Sequence, residues 1–588
     1  MKDLKINKIK NVSLAMAFAL TLSMAMAGCS ESDNSVNNVV QPTGRITVSA
    51  GINVGDLTGQ VLKFTSGDKL YVYGKITEDV VVAGFLDIDG RSINDAGTSA
   101  DFSGQVNAYD AQGTPIDYAL GSDPLAACTN KTAMAMLIHA GVSTSNQTED
   151  AIYIVEGKAP QFTVNNAVAD DVETLITKCL PVAGSYDSNT KSFVLNNSSP
   201  IFNCSFSGLE NDTKYHFSLY QKRGKYEAEY INLAGAGFFT TDGSGAKSFA
   251  FASGYDGEFL WKIVIKSADE QTEIATIDLG TRDITEKVYD VTCRFVNLAN
   301  VSGPTTLQDG DIAIGTLADN VKISIAADAT VTLSGVNIND QKAWIAGENA
   351  GLTCLGNATI ILADGTTNTV KGFGDIVNEY PGILAAHNRN SSDPADEYTL
   401  TIKGTGELNA TGANHSAGIG GGYYVPCGNI TIENGTIRAQ NSTCGDAAAI
   451  GSGPNSSCGT ITFSGGHVTA ESVGDGAAIG IGYNETTGTN GSCTKIQIND
   501  TMKGVTMIKS NVDKDTKAGV FMNAQSVFIG SQDLKNYPIG ENSGNALDLP
   551  ASELADILWS TNPVIGSLYT ATETTGVWSI YKKGEDDD

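Results

Sequence analysis

Tyr423, Pro454 and Tyr483 each stand four residues after an isoleucine of a recurring Ile-Gly pair, at Ile419, Ile450 and Ile479. If the recurrence is structural, the two tyrosines share one edge two repeats apart, and Tyr424 widens the platform. An aromatic face offers apolar area to a sugar ring while the ring hydroxyls stay wet, so this row could stack a glycan; the alternative is that the tyrosines cover corners of the fold. Four residues before the same isoleucines stand His415, Asp446 and Asp475. Two carboxylates in adjacent repeats repel unless one is protonated, both face water, or a cation bridges them, and Ca²⁺ suits a site made of oxygens. The alternative is a pair of solvated turn aspartates. Cys427 and Cys458 share a third register, which Cys493 joins when the Thr/Gly/Asn stretch before it loops out. Side chains stacked in parallel register point alongside one another, so buried thiols are expected there rather than a disulfide.

The elements that must position these residues follow from the repeat itself. "TLTIKGTGELNATG" (399–412), "NITIENGTIRAQN" (429–441) and "TITFSGGHVTAES" (460–472) share alternating apolar residues, a Gly-containing turn and a second short strand. Looser versions begin near Val321. Self-similarity at about thirty residues, with no helical period inside it, predicts a right-handed parallel β-helix over 292–535. One coil cannot bury its inward Ile, Leu, Val and Ala alone, whereas stacked coils make one continuous core. Gly420 to Gly422, Gly451, Gly453, Gly480 and Gly482 are read as corners needing φ > 0.

Before the repeat the grammar differs. "RITVSAGI", "KLYVYGKI", "KYHFSLYQ" and "FLWKIVIKS" carry period-two alternation or aromatic and β-branched runs between turn clusters, the pattern of β-sandwiches. The expected fold class is therefore all-β, with a sandwich region of one or two sandwiches over 44–291, followed by the helix. "NALDLPASELADILWS" (545–560) has the one helical spacing outside the N-terminus. With "GVWSIYKKG" and an acidic tail it makes 536–588 a C-terminal cap, since an open parallel edge invites aggregation.

The first residues are a targeting segment. Lys2, Lys5, Lys8 and Lys10 lead into an apolar run, Val12 to Met26, which ends at Ala27-Gly28-Cys29. That order makes 1–28 a secretory signal, too short in its apolar part for a transmembrane helix. Small residues directly before a cysteine resemble the bacterial lipobox, which implies lipid on Cys29; the following Ser30-Glu31-Ser32-Asp33 resembles the acidic tag of surface-exported outer-membrane lipoproteins. Residues 29–43 then read as a flexible tether.

Two further resemblances bear on function. "FTSGDKLYVYG" (64–74), "FSGLENDTKYHFSLYQ" (206–221) and "DITEKVYDVT" (283–292) resemble the fimbrillin-like surface lipoproteins, which implies a pilus subunit, tip protein or adhesin, with pilus subunits as partners. "ATVTLSGVNI", "ATIILADGTTNTVKG" and "TLTIKGTGELNATGANHSAGIG" resemble β-helical carbohydrate-binding proteins related in fold to polysaccharide lyases, which implies polysaccharide binding and calcium on the coils.

Charge and composition bound the alternatives. A formal charge of -29 repels phosphate backbones and anionic lipid heads, so nucleic acid is not an expected partner. Nine cysteines remain after Cys29, an odd number with no C-x-x-C spacing, so neither a full disulfide framework nor a thiolate metal site is indicated. The five histidines sit in no nucleophile-elbow context. Lys403 and Arg438 lie on coils where a lyase base would be sought, but solvated strands carry such residues anyway. The expectation is a non-enzymatic, lipid-anchored outer-membrane protein that binds polysaccharide or host glycan, with a structural pilus component and a lyase as the rival readings.

Overall fold

The computed structural model describes residues 44–582 except 129–132, 141–167, 223–231, 253–258, 283–287, 340–349, 374–379, 391–396, 442–445, 483–490, 510–520, 534–568 and breaks of one to three residues, 474–475 among them. Among the described residues helix is limited to single turns at Val172–Thr174 and Leu298–Asn300; the rest of the regular structure is strand. The segments read from sequence as a signal and a tether, Cys29, and the stretch 545–560 with helical spacing lie outside them. No helix of the described residues is long and apolar enough to cross a membrane. The chain divides into two compact units, with the main break between Thr292 and Cys293.

Apart from the turn at Val172–Thr174, the regular structure of the first unit's described residues is sheet. Its opening strand, Gly44–Ile52, pairs antiparallel with Ser99–Asp110 on one side and parallel with Ser192–Leu195 on the other. Through Lys69–Lys75, Val80–Ile88, Met134–Ile138 and Ala183–Asp187 the ring closes as a seven-stranded barrel. The alternation seen in sequence fills it: Val48, Leu70, Val72, Val82, Phe102, Leu137 and Phe193 are buried. The later strands form the two facing sheets of a sandwich. Ile201–Ser207 pairs with Lys247–Ala252, and Lys214–Lys222 lies between Asn232–Thr240 and Phe259–Ser267. Between the sheets runs an aromatic layer, with Phe202 and Phe251 5.2 Å apart, Phe217 and Phe251 4.6 Å, and Phe206 and Phe239 5.7 Å between ring centroids.

The second unit is the parallel β-helix. Each coil contributes a short first strand, a longer second and a third, and each stacks in register on the coil before. The first face runs from Thr305–Leu307 through Ile419–Gly420, Ile450–Gly451 and Ile479–Gly480 to Phe521–Met522. The second face includes Ala358–Leu362, Thr399–Gly404, Asn429–Ile432, Cys458–Phe463, Cys493–Ile498 and Val527–Ile529. The third includes Thr367–Lys371, Glu407–Thr411, Thr436–Gln440, His467–Ser472 and Gly504–Lys509.

Register is what makes the core continuous. Ile360, Ile402, Ile432, Phe463 and Ile498 follow one another rung by rung on the second face, and the described members are fully buried. Leu408, Ile437 and Val468 do the same on the third, beginning from Asn368. Asn368 is buried without leaving an unsatisfied polar group because its amide is used: it accepts from Val336 N at 2.9 Å and donates to Glu407 O at 3.1 Å. At the start of the unit Arg294 grips the buried Asp311 with one guanidinium edge, Nε donating to Oδ1 and Nη2 to Oδ2, and Asp311 also accepts from Gln308 N at 2.7 Å. At the other end, Val577–Lys582 pairs antiparallel with Gly504–Lys509 and with Tyr569–Thr574, covering an edge the third face would otherwise leave open.

Candidate functional site

The Ile-Gly pairs read from sequence are adjacent rungs: Ile419 pairs with Ile450, and Ile450 with Ile479. Their glycines have φ of +138°, +132° and +129° at Gly420, Gly451 and Gly480. Among the corner glycines expected at positive φ, these three have it, whereas Gly421, Gly422, Gly453 and Gly482 do not. Their reason is proximity: a Cβ on Gly453 would meet the carbonyl carbon of Gly422 at 2.5 Å, and one on Gly482 that of Gly453 at 2.6 Å. Those three glycines are thus stacked, so Tyr423 and Pro454, which follow the first two, continue one column. Tyr483 itself lies outside the described residues.

What sequence does not show is how Tyr423 and Tyr424 are presented. Gly422 and Val425 exchange both backbone hydrogen bonds at 3.0 Å, leaving the two tyrosines as the tip of a two-residue hairpin. Tyr424 takes φ +54°, a left-handed conformation costing an aromatic residue on the order of 1 kcal/mol, and its N donates to Pro454 O at 3.3 Å on the next coil. Tyr424 is 62% exposed, the one large aromatic side chain left exposed among the described residues. Its ring meets that of Tyr423 edge to face, 4.3 Å between centroids at 66°.

Beside this tip the described part of the acidic column brings Asp446 against a histidine. Asp446 lies against His415 of the preceding coil, Oδ2 to Nδ1 at 3.0 Å. The His415 ring is 6.1 Å from that of Tyr423, and His415 also has positive φ, +46°. Asp475 lies outside the described residues. A Ca²⁺ shell needs six or more oxygens, and the described part of this corner supplies the Asp446 carboxylate with a nitrogen beside it. Among the described residues no three His, Cys, Asp or Glu side chains converge to hold a metal.

Cys427, Cys458 and Cys493 form the expected interior ladder of free thiols, in register and buried. Cys427 Sγ donates to Gly451 O at 3.3 Å and Cys458 Sγ to Gly480 O at 3.5 Å, so each thiol uses a carbonyl that the left-handed glycine has turned toward it. Burial, with a thiol above and below, pushes the Cys458 pKa well up, which makes it an inert packing group rather than a nucleophile.

A family model for the beta helix repeat matches residues 400–423 and 430–454, the coils that carry this corner. Curated proteins yield no match. Among solved structures the chain is similar to a candidate adhesin from Bacteroides ovatus at 12% identity, over 46% of this chain and 94% of that one, with a TM-score of 0.18. It is also similar to the major pilin (T-13) of Streptococcus pyogenes at 10% identity, over 43% and 97%, and to the Bacillus cereus major pilin subunit BcpA at 10%, over 43% and 69%, each with a TM-score of 0.12.

Proposed function

We propose that this chain is a lipid-anchored surface protein that binds polysaccharide or host glycan, without cleaving it, at the edge of its β-helix carrying Tyr423 and Tyr424. The observation that supports the reading most is the hairpin tip. Two aromatic rings are held out at the apex of a tight turn, one of them in a strained backbone conformation, with a half-buried His–Asp pair alongside. A corner needing only a cover would not keep an exposed ring at that cost. Tyr483, Asp475 and a calcium ion near Asp446 belong to the proposal as extensions of the same column. The anchor at Cys29 and the outer-membrane location rest on the sequence of residues 1–33. A role among pilus subunits is the rival reading for the same surface location.

A glycan array run with and without calcium, with product analysis, tests this. The variant Tyr423→Ala/Tyr424→Ala should bind about tenfold or more weakly, each ring contributing on the order of 1 kcal/mol, with an unchanged melting temperature. Equal binding by parent and variant on every recognised glycan would move the site elsewhere, and cleaved product would make the protein a lyase. Cys29→Ala should leave the membrane fraction; retention there would end the anchor proposal.

A further inference from the structure

The outward positions of the second face are not alike. On one row the side chains knit successive coils together: Asn357 Nδ2 donates to Asp328 Oδ1 at 2.9 Å, Thr399 N to Asn357 Oδ1 at 3.0 Å, Asn429 Nδ2 to Thr399 Oγ1 at 3.4 Å and Thr460 N to Asn429 Oδ1 at 2.7 Å. The row beside it is Thr330, Thr359, Thr401, Thr431 and Thr462, each paired in register with the next. All five are half-buried, and none of their hydroxyls has a hydrogen-bond partner among the described residues. At the strand spacing of about 4.8 Å, five rungs present a straight line of hydroxyls and methyls about 19 Å long.

Threonine suits any strand, so its type alone says little. The absence of charge says more. In a chain with 66 Asp and Glu, the row carries no ionisable group over five coils, whereas the next outward row of the same face carries Lys403 and Glu433 and the outward positions of the third face carry Lys371, Glu407, Arg438 and Glu471. The Tyr423/Tyr424 tip stands on the turn that leads directly into this face, five residues before Asn429.

We infer that the threonine row is a binding track for an extended, uncharged polysaccharide lying along the helix axis, with the tyrosine tip gripping it at one side. This rests on the glycan-binding reading and adds the ligand class and its direction. Sugar hydroxyls exchange hydrogen bonds with a threonine on every rung, the methyls lie under the ring faces, and an uncharged chain meets none of the repulsion that the acidic surface imposes on a polyanion.

Calorimetry on the full mature chain with hydroxyethyl cellulose, galactomannan and dextran, each beside its short oligosaccharides, tests the track. Affinity should rise with chain length. Thr401→Glu/Thr431→Glu/Thr462→Glu should weaken the polymers tenfold or more while leaving the shortest oligosaccharide, held at the tyrosine tip, unaffected. The same three positions as Val keep shape and methyls, guard against a folding artefact, and should weaken the polymers by a smaller factor. Length-independent affinity, or polymer binding untouched by both sets, would overturn the track. So would a dimer that the Glu set dissociates in sedimentation, because the face would then cover a second copy. A threonine effect with a silent Tyr423→Ala/Tyr424→Ala would overturn the tyrosine tip alone, and no binding of any probe by the parent would overturn both readings.

Discussion

Gly451→Ala should cost the β-helix on the order of 4 kcal/mol or more, although it adds a single methyl group. At Gly451 that methyl would sit 1.8 Å from Gly480 O, a backbone atom of the next rung, and the equivalent at Gly420 would sit 1.7 Å from Gly451 O. Relief requires the rungs to separate, which breaks the first-face ladder on both sides. The φ of +132° adds strain of its own. Gly365→Ala is the control: φ there is +74°, but a Cβ would meet nothing within 4 Å, so the cost should be about 1 kcal/mol. By calorimetry the transition of the helical unit should fall by about 10 °C in the first variant and by about a quarter of that in the second. Equal shifts at the two sites would mean that the glycines matter only for backbone strain, not for the close approach of coils.

The thiol ladder depends on the same approach, and its legibility shows what sequence can and cannot carry. Cys427, Cys458 and Cys493 were readable as an interior column because each coil lies next to its sequence neighbour, so a shift of about thirty residues is a shift of one rung. The barrel was not readable in that way. Gly44–Ile52 finds its parallel partner at Ser192–Leu195, and period-two alternation says which face of a strand is buried but not which distant strand lies beside it. At the candidate site, His415 and Asp446 meet on adjacent coils. The pairing was missed because repulsion between two carboxylates drew the argument away from the histidine one coil earlier. The threonine row was present in "TLTIKG", "NITIEN" and "TITFSG", at the positions alternating with those used to find the core. What hid it is that a solvent-facing threonine looks the same in sequence whether its hydroxyl is engaged, as at Thr399, or unengaged, as at Thr431.

Ile432→Asp should unfold the helical unit, at a cost on the order of 5 kcal/mol or more. Ile432 is fully buried between Ile402 of the coil before and Phe463 of the coil after. A carboxylate there has no cation and no donor within the ladder, and protonating it to avoid the charge still leaves a polar group among apolar side chains. The damage should also spread, because each coil is stabilised only by its neighbours, and the rungs on either side of Ile432 lose packing together. Thr431→Asp makes the same chemical change one residue earlier, on the opposite side of the strand, where the side chain is half-buried and reaches water; it should change stability by about 0.5 kcal/mol or less. Urea unfolding followed by far-ultraviolet circular dichroism separates the two: the parent and Thr431→Asp should share a midpoint, and Ile432→Asp should lose the transition of the helical unit while the first unit still melts. A severe effect at Thr431 with tolerance at Ile432 would place the threonines inward and the isoleucines on the surface, and would remove the core ladder and the hydroxyl track together.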